Sequence, residues 1–191
     1  MQGPLLAPTA EADVHVNARG APARTPPDVA DRPLVAIGEA TRACALACRH
    51  CRTTAQRRPR SDALTTLQAR GLLVQIGRIH PSEFVSTGGD PLERADLFAL
   101  IAEPRDSGLG VSVAPSITRR LDRRSIAALA ALDCAGVQLS VDGADAETHD
   151  RFRGHRGRFA RTLQRLDPKT RASRCRWQPP SRPTTPNSWR S

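Results

Sequence analysis

The chain has 191 residues, of which 39% are hydrophobic, 25% charged and 3% aromatic, with no tyrosine; this suits one domain with a core of Leu, Val, Ile and Ala, and is short for two. An excess of 29 Lys and Arg over 19 Asp and Glu gives +10, which alone raises a nucleic-acid partner. However, six basic residues against one acid lie from Asp167 onward, so half the surplus is tail and nucleic acid is not expected. No run approaches the roughly 18 apolar residues of a membrane span, and the N-terminus MQGPLLAPTAEADVHVNARG lacks the charged start and apolar run of a secretory signal, so a cytoplasmic protein without a membrane partner is expected.

Residues 1–31 carry repeated Pro and Ala without apolar periodicity and read as a flexible leader. From Arg32 the chain alternates short apolar runs with amphipathic stretches. Pro33–Gly38 is expected to be a buried strand, followed by a cysteine-bearing loop and a helix over 62–79. Glu83–Ser86 is the next strand, running into Thr87-Gly88-Gly89-Asp90-Pro91. A helix over 94–105 leads to the strand Gly110–Ala114, closed by Pro115. A helix over 122–132, a strand over Ala135–Val141 and a helix over 159–166 complete four β/α units.

Alternating strands and helices imply a parallel sheet with right-handed crossovers and functional loops at the carboxyl ends of the strands. Each unusual cluster falls at such an end: the cysteines, Gly88-Gly89-Asp90, Pro115-Ser116, and Ser140-Val141-Asp142-Gly143. Beyond Asp167 the pattern collapses. Pro168, Pro179, Pro180, Pro183 and Pro186, interleaved with Arg, Ser and Thr, are not expected to supply another strand and helix, and 167–191 reads as a disordered or out-of-frame basic tail.

Cys44-Ala-Leu-Ala-Cys48-Arg-His-Cys51 sets three of the five cysteines within eight residues, directly after a strand. In a reducing compartment this argues for metal or catalytic use rather than disulfides. Clustered thiolates repel unless a cation shares their charge. Structural zinc usually takes four ligands, and no second Cys/His pair with suitable spacing follows. Three thiolates suit a cubane of four irons with one iron open to a ligand; zinc and unrelated core cysteines remain the alternatives. Arg42 and Arg49 would help hold a negative cluster, or form a solvated loop surface. Cys134, in an Ala-Leu-Asp-Cys-Ala-Gly context, reads as a small buried apolar residue, and Cys175 is given no role.

Cys44-x-x-x-Cys48-x-x-Cys51 after the first strand of a β/α repeat resembles the signature of the radical SAM superfamily. The resemblance implies that Cys44, Cys48 and Cys51 ligate a [4Fe–4S] cluster. It also implies that S-adenosylmethionine binds the open iron and that its cleavage yields a 5′-deoxyadenosyl radical for hydrogen abstraction. Ser86-Thr87-Gly88-Gly89-Asp90-Pro91-Leu92 is similar to the family's glycine-rich motif, which contacts the methionine amino group. Gly88, Gly89 and Asp90 are thereby cofactor-binding residues, with Asp90 where a Glu often stands; the bland reading of Asp90 is a helix cap.

Ser140-Val141-Asp142-Gly143, with the run His149–Phe159, is similar to the fourth-strand region of family members that modify peptides or tetrapyrroles and often carry a cysteine-rich C-terminal extension. This places Ser140 at the cofactor, while Asp142-Gly143 is equally a turn. Ser116 holds the position where relatives place a polar group near the ribose or carboxylate. His50 stands where an aromatic residue is common.

The resemblance covers about 32–166 and implies a partial (β/α) barrel with about four of six expected units. The fold class expected is therefore α/β, with a leader over 1–31, a partial core over 32–166 and a tail over 167–191. A copy that stops before the barrel closes is expected to bind cluster poorly and turn over weakly. The implied partners are a peptide or tetrapyrrole-like substrate and an electron donor protein. Two other readings stay open: a zinc-stabilised binding module whose basic tail contacts nucleic acid, and a non-catalytic product of a disrupted reading frame.

Overall fold

A computed structural model describes residues 32–104, 109–132 and 134–166, and the backbone of 177–178. The leader over 1–31, the rest of the tail and Cys175 lie outside the described residues.

Strand β1 (Val35–Thr41) pairs in parallel with β2 (Glu83–Gly88), which pairs with β3 (Gly110–Val113), which pairs with β4 (Gly136–Gln138). Strand order follows chain order, β1-β2-β3-β4, so each strand is laid beside the last. These are the four parallel strands expected. The tail departs from expectation: Trp177–Gln178 forms a two-residue β5 in parallel with Val137–Gln138. Two residues need only an extended backbone beside an open edge, and no apolar periodicity announces so short a pairing.

Helix α1 (Thr66–Arg78) links β1 to β2, and its start is written in the sequence. Thr65 accepts from the Gln68 backbone, and the Gln68 side chain accepts from Thr65 N, a reciprocal cap of the S/T-x-x-Q kind. Helix α2 (Leu97–Ala102) is shorter than the expected 94–105, because Pro91–Glu93 first turns as a single 3₁₀ segment capped by Asp90. Helix α3 (Arg123–Ala131) is capped by Asp122 with Ser125.

Two helices follow β4. Sequence periodicity finds α5 (Arg158–Leu166) but not α4 (Ala146–Arg153). Short polar stretches such as α4 carry little apolar signal. Its boundaries are instead held by the Asp145 side chain, which accepts from Thr148 N, and by Gly154 in the left-handed conformation.

Alternation along the strands turns Phe84, Val111, Val113 and Val137 toward the helices, where they pack with Leu97, Ile101, Leu129 and Leu139 in one core. Cys134 is buried in that core. Helix α1 packs more loosely: only Ala69 is buried, while Leu67 and Val74 are exposed. Among the described residues no helix is long and apolar enough to cross a membrane.

Candidate functional site

The carboxyl ends of β1, β2, β3 and β4 gather the site. The loop leaving β1 is closed on itself by backbone bonds, with Cys44 N donating to Gln56 O and Gln56 N to Arg42 O, both at 2.8 Å. All three of its cysteines are free thiols. Leu46 N donates to Cys44 Sγ at 3.3 Å, and Ala55 N donates to Cys51 Sγ at 3.3 Å. Backbone N–H groups directed at sulfur are the bonds that stabilise a thiolate and set the properties of a metal centre built on it. Burial pushes the Cys44 thiol above its ordinary value. For Cys51, burial acts upward, but hydrogen bonds from Thr53, Ala55 and Thr54 outweigh it and hold the thiol below its ordinary value. A hollow of about 260 Å³ opens beside Cys48 and Cys51, lined also by Arg49 and Thr54.

The glycine pair at the end of β2 fits beneath this loop. Gly89 N donates to Thr41 O and Asp90 N to Ala43 O, each at 2.8 Å. Gly88 has φ of 129°, and a Cβ there would stand 2.3 Å from Thr41 O; at Gly89 it would stand 2.5 Å from Ala43 O. The glycines therefore admit the backbone of the cysteine loop itself.

Asp90 is fully buried. Its Oδ1 accepts from Leu92 N at 3.2 Å and Ser116 N at 3.4 Å, and its Oδ2 accepts from Thr118 Oγ1 at 2.7 Å. Burial raises its carboxyl above the ordinary carboxylate range against those bonds. Ser116 completes the join: its hydroxyl donates to Gly89 O at 2.9 Å and lies 3.7 Å from Cys44 Sγ, which donates to it.

The fourth strand end contributes through α4. Arg49 N donates to Phe152 O at 2.9 Å, and a Cβ on Gly154 would meet Ala47 O at 2.3 Å, so the end of α4 lies flat on the cysteine loop. Asp142 sits between them. Its carboxylate pairs with Arg153 Nε at 2.5 Å and lies 3.5 Å from His50 Nε2 and 3.9 Å from His149 Nδ1. Arg153 Nη1 in turn donates to Cys48 Sγ at 3.8 Å. His149 is buried and accepts from Asp142 N, and burial lowers its pKa below the ordinary imidazole value.

Arg158 is also buried, donates to Ile117 O at 2.7 Å, and leaves Nε without a hydrogen-bond partner. With Ser116, Ser140, His149 and Arg153 it lines a space of about 10 Å³, roughly one water.

The structure thus brings Cys44, Gly89, Asp90 and Ser116 together directly. Ser140 is exposed at the mouth of the small space beside Ser116. His50 is exposed and meets the Phe152 ring edge-on at 5.4 Å. Among the described residues the arginine that donates to a thiol is Arg153, while Arg49 lines the hollow beside Cys48 and Cys51. That role lies outside sequence reasoning, since Arg153 and Cys48 are 105 positions apart, although the run His149–Phe159 that contains Arg153 stands out by its pattern.

Among the described residues no three His, Cys, Asp or Glu side chains converge on one point. The donor set nevertheless fits a multi-iron centre, in which each thiolate takes a separate iron: three thiols on one closed loop, each with a hydrogen-bonding partner at sulfur.

Comparison with known proteins identifies the family. The model of the Radical SAM superfamily matches residues 39–167. The AdoMet-dependent heme synthase of Oleidesulfovibrio alaskensis is 36% identical over 132 residues, which are 68% of this chain and 33% of that protein. The mycofactocin maturase MftC of Mycobacterium ulcerans is 34% identical over 137 residues, 72% of this chain and 36% of that protein. This chain therefore spans about a third of the length of these curated relatives. Among solved structures, Streptococcus suis SuiB bound to S-adenosylmethionine aligns with a TM-score of 0.57 at 19% identity, over 69% of this chain and 31% of SuiB, a likeness of fold.

Proposed function

Because the chain belongs to the radical SAM superfamily, we propose that residues 32–166 form the cofactor-binding part of a radical SAM enzyme. In this reading Cys44, Cys48 and Cys51 would hold a [4Fe–4S] cluster, and Gly88, Gly89, Ser116 and Ser140 would hold S-adenosylmethionine. Asp90 works from beneath, fixing the glycine turn to the end of β3. A cluster held there would supply the electron that cleaves S-adenosylmethionine, and the radical so released would abstract a hydrogen from substrate.

The chain's own residues do the holding. Thr53, Ala55 and Leu46 direct hydrogen bonds at the sulfurs, and Ser116 ties Cys44 to the glycine turn. The observation that carries the proposal is this last join: a single hydroxyl meets both a thiol of the cysteine loop and the backbone of the glycine pair. It supports a reading in which the cluster's ligands and the residues for the cofactor are neighbours.

A peptide or a tetrapyrrole-like molecule is the proposed substrate class, since the relatives at 34–36% identity are a maturase and a heme synthase; an electron donor protein is the proposed partner. The test is anaerobic reconstitution with iron and sulfide. The chain is expected to take up iron and sulfide in equal numbers, at most about four of each, and Cys44→Ala, Cys48→Ala and Cys51→Ala to lose most of whatever the wild type holds. Iron and sulfide content unchanged in those variants would overturn the proposal.

A further inference from the structure

The three thiols are not served alike. Cys44 and Cys51 draw their bonds from within the cysteine loop and from Ser116. Cys48 draws on the far end of the domain, through Arg153 at the last turn of α4. A charged donor makes the stronger kind of hydrogen bond, and a guanidinium beside sulfur favours the more negative, reduced form of a cluster. Hydrogen bonds and nearby charge are among the levers that set iron–sulfur potentials.

Arg153 is also aimed. Its side chain is only 14% exposed, its Nε is held 2.5 Å from Asp142 Oδ2, and this leaves Nη1 turned toward Cys48. Asp142 is itself fixed: its backbone N–H is tied to buried His149, and His50 lies across its other oxygen. The backbone bond from Arg49 to Phe152, one residue before Arg153, sets the height of the helix end over the loop.

We propose that Arg153, positioned by Asp142, is the residue through which the end of the fourth β/α unit sets the reduction potential of a cluster held by Cys48. This rests on the function proposed above. Arg153 raises the potential through its charged bond to sulfur, and Asp142 partly opposes it with a negative charge one residue further out. Removing the guanidinium therefore lowers the potential, whereas removing only the charge of Asp142, with its contact to Arg153 kept, raises it; loss of either side of a merely structural ion pair loosens the same contact and gives one sign.

The experiment is a redox titration of the reconstituted full chain, followed by the spectrum of the reduced cluster, first without and then with S-adenosylmethionine, after iron and sulfide have been counted in each sample. Arg153→Met is expected to make reduction harder by at least tenfold in the equilibrium constant, which is 59 mV for one electron. Asp142→Asn, which removes the opposing charge while its amide oxygen can still face Arg153 Nε and keep the aim, is expected to shift it the other way. Arg153→Lys, which keeps the charge without the fork, is expected to fall between Met and wild type. Should Arg153→Met fail to retain iron, the upward shift of Asp142→Asn carries the same test.

A loaded Arg153→Met chain with an unmoved potential overturns the inference alone. So does a shift that appears only once S-adenosylmethionine is added, since Arg153 would then act on the cofactor and not on Cys48. A wild-type chain that takes up no iron overturns both this inference and the function on which it rests.

Discussion

Replacing Asp90 separates a carboxylate that grips a ligand from one that braces the protein. Asp90→Ala removes the acceptor for Leu92 N, Thr118 Oγ1 and, at the longer distance of 3.4 Å, Ser116 N, in a place with no solvent. Two good bonds and one marginal one, at about 1 kcal/mol net each and more where a donor is left buried and unpaired, give a loss of about 2–4 kcal/mol. That is a large share of the roughly 5–15 kcal/mol that hold a domain together.

Asp90→Asn keeps Oδ1 and can donate to Thr118 Oγ1, so a loss within about 1 kcal/mol is expected near neutral pH. Its pH dependence is the sharper readout. Burial raises the folded-state pKa of Asp90 above its unfolded value. The stability gained by protonation is then complete below the unfolded value, about 3.9, and is lost as pH rises through the folded value. The Asn variant does not titrate, so it should gain on wild type from the ordinary carboxylate range upward.

Urea unfolding of both proteins at several pH values measures this. A loss below about 1 kcal/mol for Asp90→Ala, or an Asn variant that tracks wild type at every pH, would refute the reasoning. In the reconstituted chain, Asp90→Asn should keep S-adenosylmethionine affinity within about threefold; a much larger loss would mean that the carboxylate contacts the ligand after all.

Gly89→Ala places a methyl 2.5 Å from Ala43 O and 2.7 Å from Arg42 O; a loss of about 2 kcal/mol in denaturant unfolding and lower iron retention are expected. Gly71→Ala is its opposite, since nothing lies within 4 Å of the added methyl in the middle of α1, and it should stabilise by about 0.5–1 kcal/mol. Leu129, with no exposed surface in α3, should lose about 2–5 kcal/mol on truncation to Ala, read by the same denaturant midpoint.

The fold was legible wherever apolar runs were long enough to show a period. Phe84-Val85 and Val111–Val113 mark buried strands, and the runs around Leu129 and Leu163 mark helices. Thr65 and Asp122 announce their helices by the groups they can bond. What escaped was carried by single residues or by distance. Helix α4 offers few apolar positions, and β5 is two residues long.

At the site, the cysteine spacing and the glycine pair were plain in one dimension, and the family match over 39–167 agrees with that reading rather than with a zinc-stabilised module. The inward turn of Asp90 was not plain, because sequence cannot say which lone pairs Thr118 will occupy. Nor could the path from Asp142 through Arg153 to Cys48 be read from local pattern, since it exists only once α4 lies on the loop.

The cysteine loop is fastened at three places by backbone alone: to Gln56, to the glycine turn, and to Phe152. None of these ties involves a sulfur atom. A chain folded without metal would therefore already present its thiols on a set frame, with side-chain rotation the main motion left to them. Iron would enter a finished socket late, and removing it with a chelator should leave the backbone's hydrogen-exchange protection around residues 42–56 largely intact.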